Sequence, residues 1–198
     1  MMKYEHLLIF GLVMVASWCL FTYLWPRLML SAYKRAILVK GFGDGPVPIN
    51  TLYTTPQKLF ADPVAWQSAS GSNSVTGGMN RDTLYTIGWL DLSKEPQILH
   101  VPDMAGRYYS VQFTDPLKNT NFAYVGKRTT GTQAGKYLIT GSGWKGTVPQ
   151  GMKQITSPNN SVLVAGRVFV ENELDLSTAY DLSKQIQLTP LSSWRPSQ

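Results

Sequence analysis

Cysteine is all but missing from this chain of 198 residues. Cys19 is the only one, and it lies inside an apolar run. No intramolecular disulfide can form, and both thiol catalysis and a cysteine metal site are excluded, so the folded part must hold together by packing. Histidine is nearly as scarce. His6 flanks the apolar run, which leaves His100 as the only imidazole available to a folded domain, where a surface or hydrogen-bonded ring is expected. A serine–histidine–acid triad would depend on that same ring, and no G-x-S-x-G elbow presents a nucleophile. Charge is sparse at 15% of residues, and 18 Lys and Arg against 12 Asp and Glu leave a net charge of +6. Such a balance attracts anionic partners. The cations are scattered among acids, without a basic run interleaved with stacking aromatics, so no nucleic-acid partner is expected. No cofactor and no metal is expected either.

What the chain does have is Leu7–Leu24, 18 residues without a charge, bounded by Lys3 and Glu5 before it and Arg27 after it. About 20 apolar residues cross a bilayer core as a helix, and Trp18, Tyr23 and Trp25 supply the amphipathic rings favoured at an interface. A cleaved signal peptide is one reading, but the run is long for one and lacks an A-x-A end. A lipoprotein signal is another, against which bulky Trp18 stands just before Cys19. The third, an uncleaved anchor meeting membrane lipid through residues 7–25, is the expectation. Arg27, Lys34, Arg35 and Lys40 outnumber the positive groups on the amino-terminal side, and by the positive-inside rule they favour a cytoplasmic domain.

The spacing predicts residues 1–40 as anchor and juxtamembrane segment, 41–51 as linker, 52–191 as one folded domain and 192–198 as tail. Gly41, Gly43, Gly45, Pro46 and Pro48 break the helix. Thr55-Pro56 opens a short helix through Phe60, and Ser70–Gly78 is a polar loop. With 12 prolines and 17 glycines the domain is turn-rich. Strands are expected at Thr83–Leu90, Gln97–Val101, Arg107–Thr114, Asn121–Lys127, Lys136–Thr140, Met152–Thr156 and Ser161–Val170, short runs of β-branched and aromatic residues separated by turn formers. Strands at this spacing argue a mainly β fold, sandwich or barrel. Leu174–Gln187 reads as a closing amphipathic helix, with Leu176, Ala179, Ser183 and Ile186 on one face.

Gly141-Ser-Gly143-Trp-Lys-Gly146 matches the dinucleotide pattern, but Thr147-Val148-Pro149 follows where that site needs a helix, so a glycine-rich hairpin is expected. Asp115, Asn119 and Asn121 could hold a hard cation, yet Asp and Asn also cap turns with their own side chains. The turn is the expectation. The candidate site is a polar cluster at strand edges: Asn80, Arg81, Asp82, Tyr85, Arg107, Tyr109, Asp115, Asn121, Arg128 and Arg167. Arg81 and Asp82 fit a charge-assisted pair that orders a loop, or a pocket wall facing an anion. Arg167, in the middle of an apolar strand, needs a partner such as Asp82 or Asp115.

Asn80-Arg-Asp-Thr-Leu-Tyr85, Trp89-Leu-Asp-Leu-Ser93, Val101-Pro-Asp103, Gly106-Arg-Tyr-Tyr109, Arg128-Thr-Thr-Gly-Thr132, Gly143-Trp-Lys-Gly146, Ser157-Pro-Asn159 and Leu188-Thr-Pro-Leu191 follow one another in this order. Together they resemble the bacterial family called domain of unknown function 1254, over roughly residues 52 to 191. The resemblance implies a jelly-roll-like β-sandwich and no settled activity. Longer members of that family fuse the domain to a second one, domain of unknown function 1214, which implies here a split version whose partner domain is a separate chain. Secretion signals on the longer members favour an inner-membrane, single-pass protein with a periplasmic domain. The resulting expectation is a membrane-anchored interaction or assembly module of the bacterial envelope, partnered by a chain carrying the complementary domain. The alternative is an enzyme or small-ligand binder with a polar pocket near Arg81 and Asp82.

Overall fold

The computed structural model describes residues 4–41, 45–54 and 82–195. The expected helix at Thr55–Phe60, the Ser70–Gly78 loop, and Asn80 and Arg81 lie outside the described residues.

Helix α1 (Tyr4–Lys40) carries the whole apolar run and continues past Pro26 to the first glycine of the turn. At about 1.5 Å per residue, its 37 residues exceed what a bilayer core needs. Its apolar window has a mean hydropathy of 2.2 and is unburied, so this is an apolar helix of the length and position of a membrane anchor or a signal sequence. The helix stops because Gly41 adopts a left-handed φ of 64° and its N–H turns back to the carbonyls of Ala36 and Ile37.

Among the described residues nine strands follow: β1 (Leu52–Thr54), β2 (Thr83–Asp91), β3 (Gln97–Val101), β4 (Tyr109–Asp115), β5 (Thr120–Gly126), β6 (Gly135–Thr140), β7 (Lys153–Thr156), β8 (Ser161–Phe169) and, after helix α2 (Leu176–Lys184), β9 (Gln187–Pro190). They form a five-stranded sheet in the order β1-β2-β8-β4-β5 and a four-stranded sheet in the order β7-β6-β3-β9. The fold is thus mainly β, built on two sheets with an apolar helix before them and a short helix ahead of the last strand. One buried cluster draws Leu84, Leu90, Val111, Phe113, Val164 and Val168 from the first sheet and Leu99, Val101, Tyr137 and Ile139 from the second. Burying such side chains stabilises by about 25 cal/mol per Å² of apolar surface.

All seven expected strands form, within a residue or two at their ends. Two differences have physical causes. The expected closing helix ends at Lys184, and Gln187–Pro190 pairs with β3 instead. A proline at the end of an edge strand costs no ladder bond that the sheet needs. The Gly141–Gly146 segment is not a hairpin, because β6 and β7 run parallel. A tight hairpin joins only antiparallel strands, so residues 141–152 cross over through successive turns.

Strand β8 alternates half-buried and buried residues along its length, as expected for a strand with one face on the core. Strand β2 is buried on both faces. At Trp89 the reason is the end of α1. Ile37 and Val47 pack on Trp89, joined by Leu30, Tyr53 and Leu163, and the Lys34 ammonium lies 5.2 Å from the Trp89 ring centre. The last turns of α1 therefore cover the outer face of the five-stranded sheet around Tyr53, Trp89 and Leu163.

Candidate functional site

Strand register defines the rest of that outer face as three rungs. Tyr85, Arg167, Ser110 and Gly126 form the first, Ile87, Ala165, Gln112 and Tyr124 the second, and Trp89, Leu163, Thr114 and Asn121 the third. Residues two apart on a strand share a face, so these side chains look the same way. In the first rung a long cationic side chain is followed by serine and glycine. The serine is short, and beside it a half-open hollow of about 280 Å³ is bounded by Tyr108, Gln112, Tyr124, Arg128, Thr129 and Arg167.

Its walls are ordered locally. Asn121 Oδ1 accepts from Gln112 Nε2 at 2.9 Å and from Thr114 Oγ1 at 2.7 Å, while Asn121 Nδ2 donates to the Tyr124 hydroxyl at 2.8 Å. That chain pins the Tyr124 ring, which remains 43% exposed. Arg128 is presented by a tight turn in which the N–H groups of Thr129 and Thr130 both donate to the Gly126 carbonyl, and the Thr130 hydroxyl accepts from Gly126 N–H at 3.1 Å. The Arg128 guanidinium lies 5.5 Å from the Tyr108 ring centre, and that of Arg167 lies 5.7 Å from the Tyr85 ring centre. Such placements favour a cation over the electron-rich ring face. Arg167 Nε is buried and makes no hydrogen bond among the described residues. Among the described residues the ion pairs are Arg107–Asp175 and Lys184–Asp181, so neither arginine of the hollow is neutralised by a described carboxylate.

The structure thus brings Tyr85, Asn121, Arg128 and Arg167 to one face and disperses other members of the expected cluster. Arg167 meets the Tyr85 ring rather than Asp82 or Asp115, a correction to the expected carboxylate partner. Asp115 is buried and accepts from the N–H groups of Leu117 (3.0 Å) and Lys118 (3.3 Å), which makes it a turn former at the β4–β5 bend, with Asn119 at a left-handed φ of 52°. Asp82 is exposed, and its carbonyl accepts from Val170 N–H. The Tyr109 side chain belongs to the core, and burial pushes its phenol above the ordinary value, with a Thr130 contact acting against it. Arg107 lies elsewhere, engaged with Asp175 and with the Phe169 carbonyl.

His100 sits in the other sheet, its Nε2 2.7 Å from Thr189 Oγ1. Burial first, then the Lys136 charge, push its pKa below the usual value. No group of three or more His, Cys, Asp or Glu side chains that could hold a metal ion occurs among the described residues. Sequence alone does not point to Ser110, Gln112 or Tyr124. Their signal is the alternation Ser110-x-Gln112-x-Thr114, polar residues on one face of a strand whose other face is apolar.

The profile of the family described as a protein of unknown function (DUF1254) matches residues 62–190. No curated protein matches the chain. Among solved structures, the VPA0106 protein from Vibrio parahaemolyticus is 26% identical with a TM-score of 0.62, over 89% of this chain and 40% of its own. An uncharacterized protein from Burkholderia cenocepacia is 13% identical with a TM-score of 0.44, over 89% of this chain and 43% of its own. The chain therefore spans less than half the length of either.

Proposed function

The chain belongs to the family described as a protein of unknown function (DUF1254), and from that premise we propose that it is a membrane-anchored domain that binds a small ligand on the outer face of its five-stranded sheet. The observation that carries this reading is the hollow beside Arg167, with its preordered Gln112–Asn121–Tyr124 wall. Its volume of about 280 Å³ is near the lower end of ligand sites, and its mixture of rings and a few placed polar groups is their usual lining. In this reading α1 tethers a jelly-roll-like domain at the inner membrane, on the periplasmic side. The test is a small-molecule screen on isotope-labelled full-length protein in nanodiscs, read by NMR. Resonance shifts confined to Ser110, Gln112, Tyr124 and Arg128 are the expected outcome. Hits that map to other surfaces, or none at all, count against the reading.

A second reading takes the same domain as an interaction module of the envelope, docking a separate chain that carries the complementary second domain. The observation favouring it is that Tyr124 and Arg128 stand exposed on this face. Exposed tyrosine and arginine are also the residue types enriched where protein partners bind most strongly. Gentle-detergent purification of the full chain from its own membranes checks it. A stoichiometric partner retained by the native protein and lost on Arg128→Glu supports docking at this face, whereas a solitary protein removes the reading.

A further inference from the structure

We propose that the hollow is an oxyanion site: it takes a small molecule whose carboxylate or phosphate group sits between Arg128 and Arg167, with its body against the ring of Tyr124. The inference rests on the ligand-binding reading and adds the chemical class of the ligand.

The argument starts from Arg167. A guanidinium has five N–H donors and no acceptor. Here it stands on a central strand with Tyr85 on one side and Ser110 on the other, and its Nε is buried without a hydrogen bond among the described residues. A buried donor left without an acceptor is costly, and more so in a charged group. The Tyr85 ring stabilises the charge from one side but accepts little of the donor capacity. On the opposite side the rung continues with Ser110, whose short side chain leaves the hollow open, and among the described residues no carboxylate lines it.

Arg128 brings a second cation to the same cavity from the β5 turn. Its position is set by backbone bonds of the turn rather than by an acidic partner. Two guanidiniums that line one hollow repel each other. An entering oxyanion removes that repulsion and accepts two or more charge-assisted bonds, the geometry for which arginine is better suited than lysine. The exposed Tyr124 ring, held by its hydroxyl, offers a flat apolar surface beside those cations, which suits an organic anion better than a bare inorganic one.

The experiment compares benzoate, phenyl phosphate and the neutral benzyl alcohol on the full-length protein in phosphatidylcholine nanodiscs, read by chemical shifts of Gln112, Tyr124 and Arg128. Binding of the two anions at these residues, with benzyl alcohol at least about tenfold weaker, is expected, and both Arg167→Gln and Arg128→Ala should weaken the anions by about tenfold. Arg128 is exposed on a turn, so its variant reports even where Arg167→Gln does not fold. Equal binding of benzyl alcohol and benzoate overturns the inference and leaves the ligand-binding reading standing. Binding of none of the three overturns the inference, and the broader screen then decides the reading itself. Repeating the titration in phosphatidylglycerol nanodiscs separates the sources. Loss of benzoate binding there, with the hollow's resonances already shifted, identifies the phosphate of a net-anionic lipid headgroup as the anion, while undiminished binding identifies a soluble one.

Discussion

Arg107 holds Asp175 with both terminal nitrogens: Nη2 donates to Oδ1 at 2.5 Å and Nη1 to the other oxygen, while Nη1 also donates to the Phe169 carbonyl at 2.7 Å. The same carboxylate accepts from Glu171 N–H at 2.9 Å. One arginine thus ties the approach to β4 to the turn that carries β8 into α2. The bridge also explains why Arg107 is absent from the hollow two residues away from Tyr109.

Breaking this bridge is expected to destabilise the domain by about 2 kcal/mol, since the pair is bidentate and only partly exposed. Arg107 lowers the Asp175 pKa below the ordinary carboxylate value. The bridge therefore contributes fully above the unfolded value of about 3.9 and is lost as pH falls through the lower folded value. Asp175→Asn should be less stable than the native protein in urea titrations at pH 7, with the gap closing below about pH 4. A gap that persists unchanged at pH 3 would remove the electrostatic explanation.

His100 works in a different window. Its folded pKa lies below the ordinary value because burial opposes the charged ring, with Lys136 adding to the effect. As pH falls below about 6.5 the unfolded chain takes up the proton first, so stability declines until the folded ring also protonates. The denaturation midpoint should drop between pH 7.5 and 5.5, and His100→Gln should flatten that part of the profile. An identical slope in the variant would assign the effect to other groups.

Gly126 sits where β5 passes close to β4. A Cβ there would lie 2.5 Å from the Tyr109 carbonyl oxygen and 2.9 Å from the Ser110 Cα, both backbone atoms that cannot step aside. Gly126→Ala should cost about 1–3 kcal/mol and move the Arg128 turn. Thermal unfolding measures the first effect and the Arg128 side-chain NMR signal the second.

Trp89 is 1% exposed and donates through Nε1 to Ser161 Oγ at 2.7 Å, so Trp89→Ala should cost about 3–5 kcal/mol. Ile37→Ala tests the other side of the same contact. It should loosen the end of α1 from the sheet while leaving the two-sheet core folded, and tryptic cleavage after Lys40 should accelerate. Unchanged cleavage together with a large loss of core stability would mean that this helix end is part of the core.

Several elements were legible because they are local. The apolar run, its end at Gly41, the strand segments and the amphipathic face of α2 each depend on residues close in sequence, through hydrophobic period and turn chemistry. Asp115 was readable as a turn former for the same reason. The ligand side was not local. Arg167 could be recognised as an arginine in need of a partner, but a carboxylate was expected where the register supplies the Tyr85 ring.

What the sequence by itself determined is therefore the inventory and the local grammar: a long apolar helix, short strands, no usable cysteine, and arginines placed on strands and turns. Only the tertiary structure decided which of those residues meet. Strand order and register place β4 and β5 on one side of β8 and β2 on the other, bringing Arg128, Arg167, Gln112 and Tyr124 around one hollow and holding Arg107 against Asp175. A side chain's own chemistry is written in its residue type, but the free energy of a charge depends on what stands beside it, and pairing between distant strands sets that.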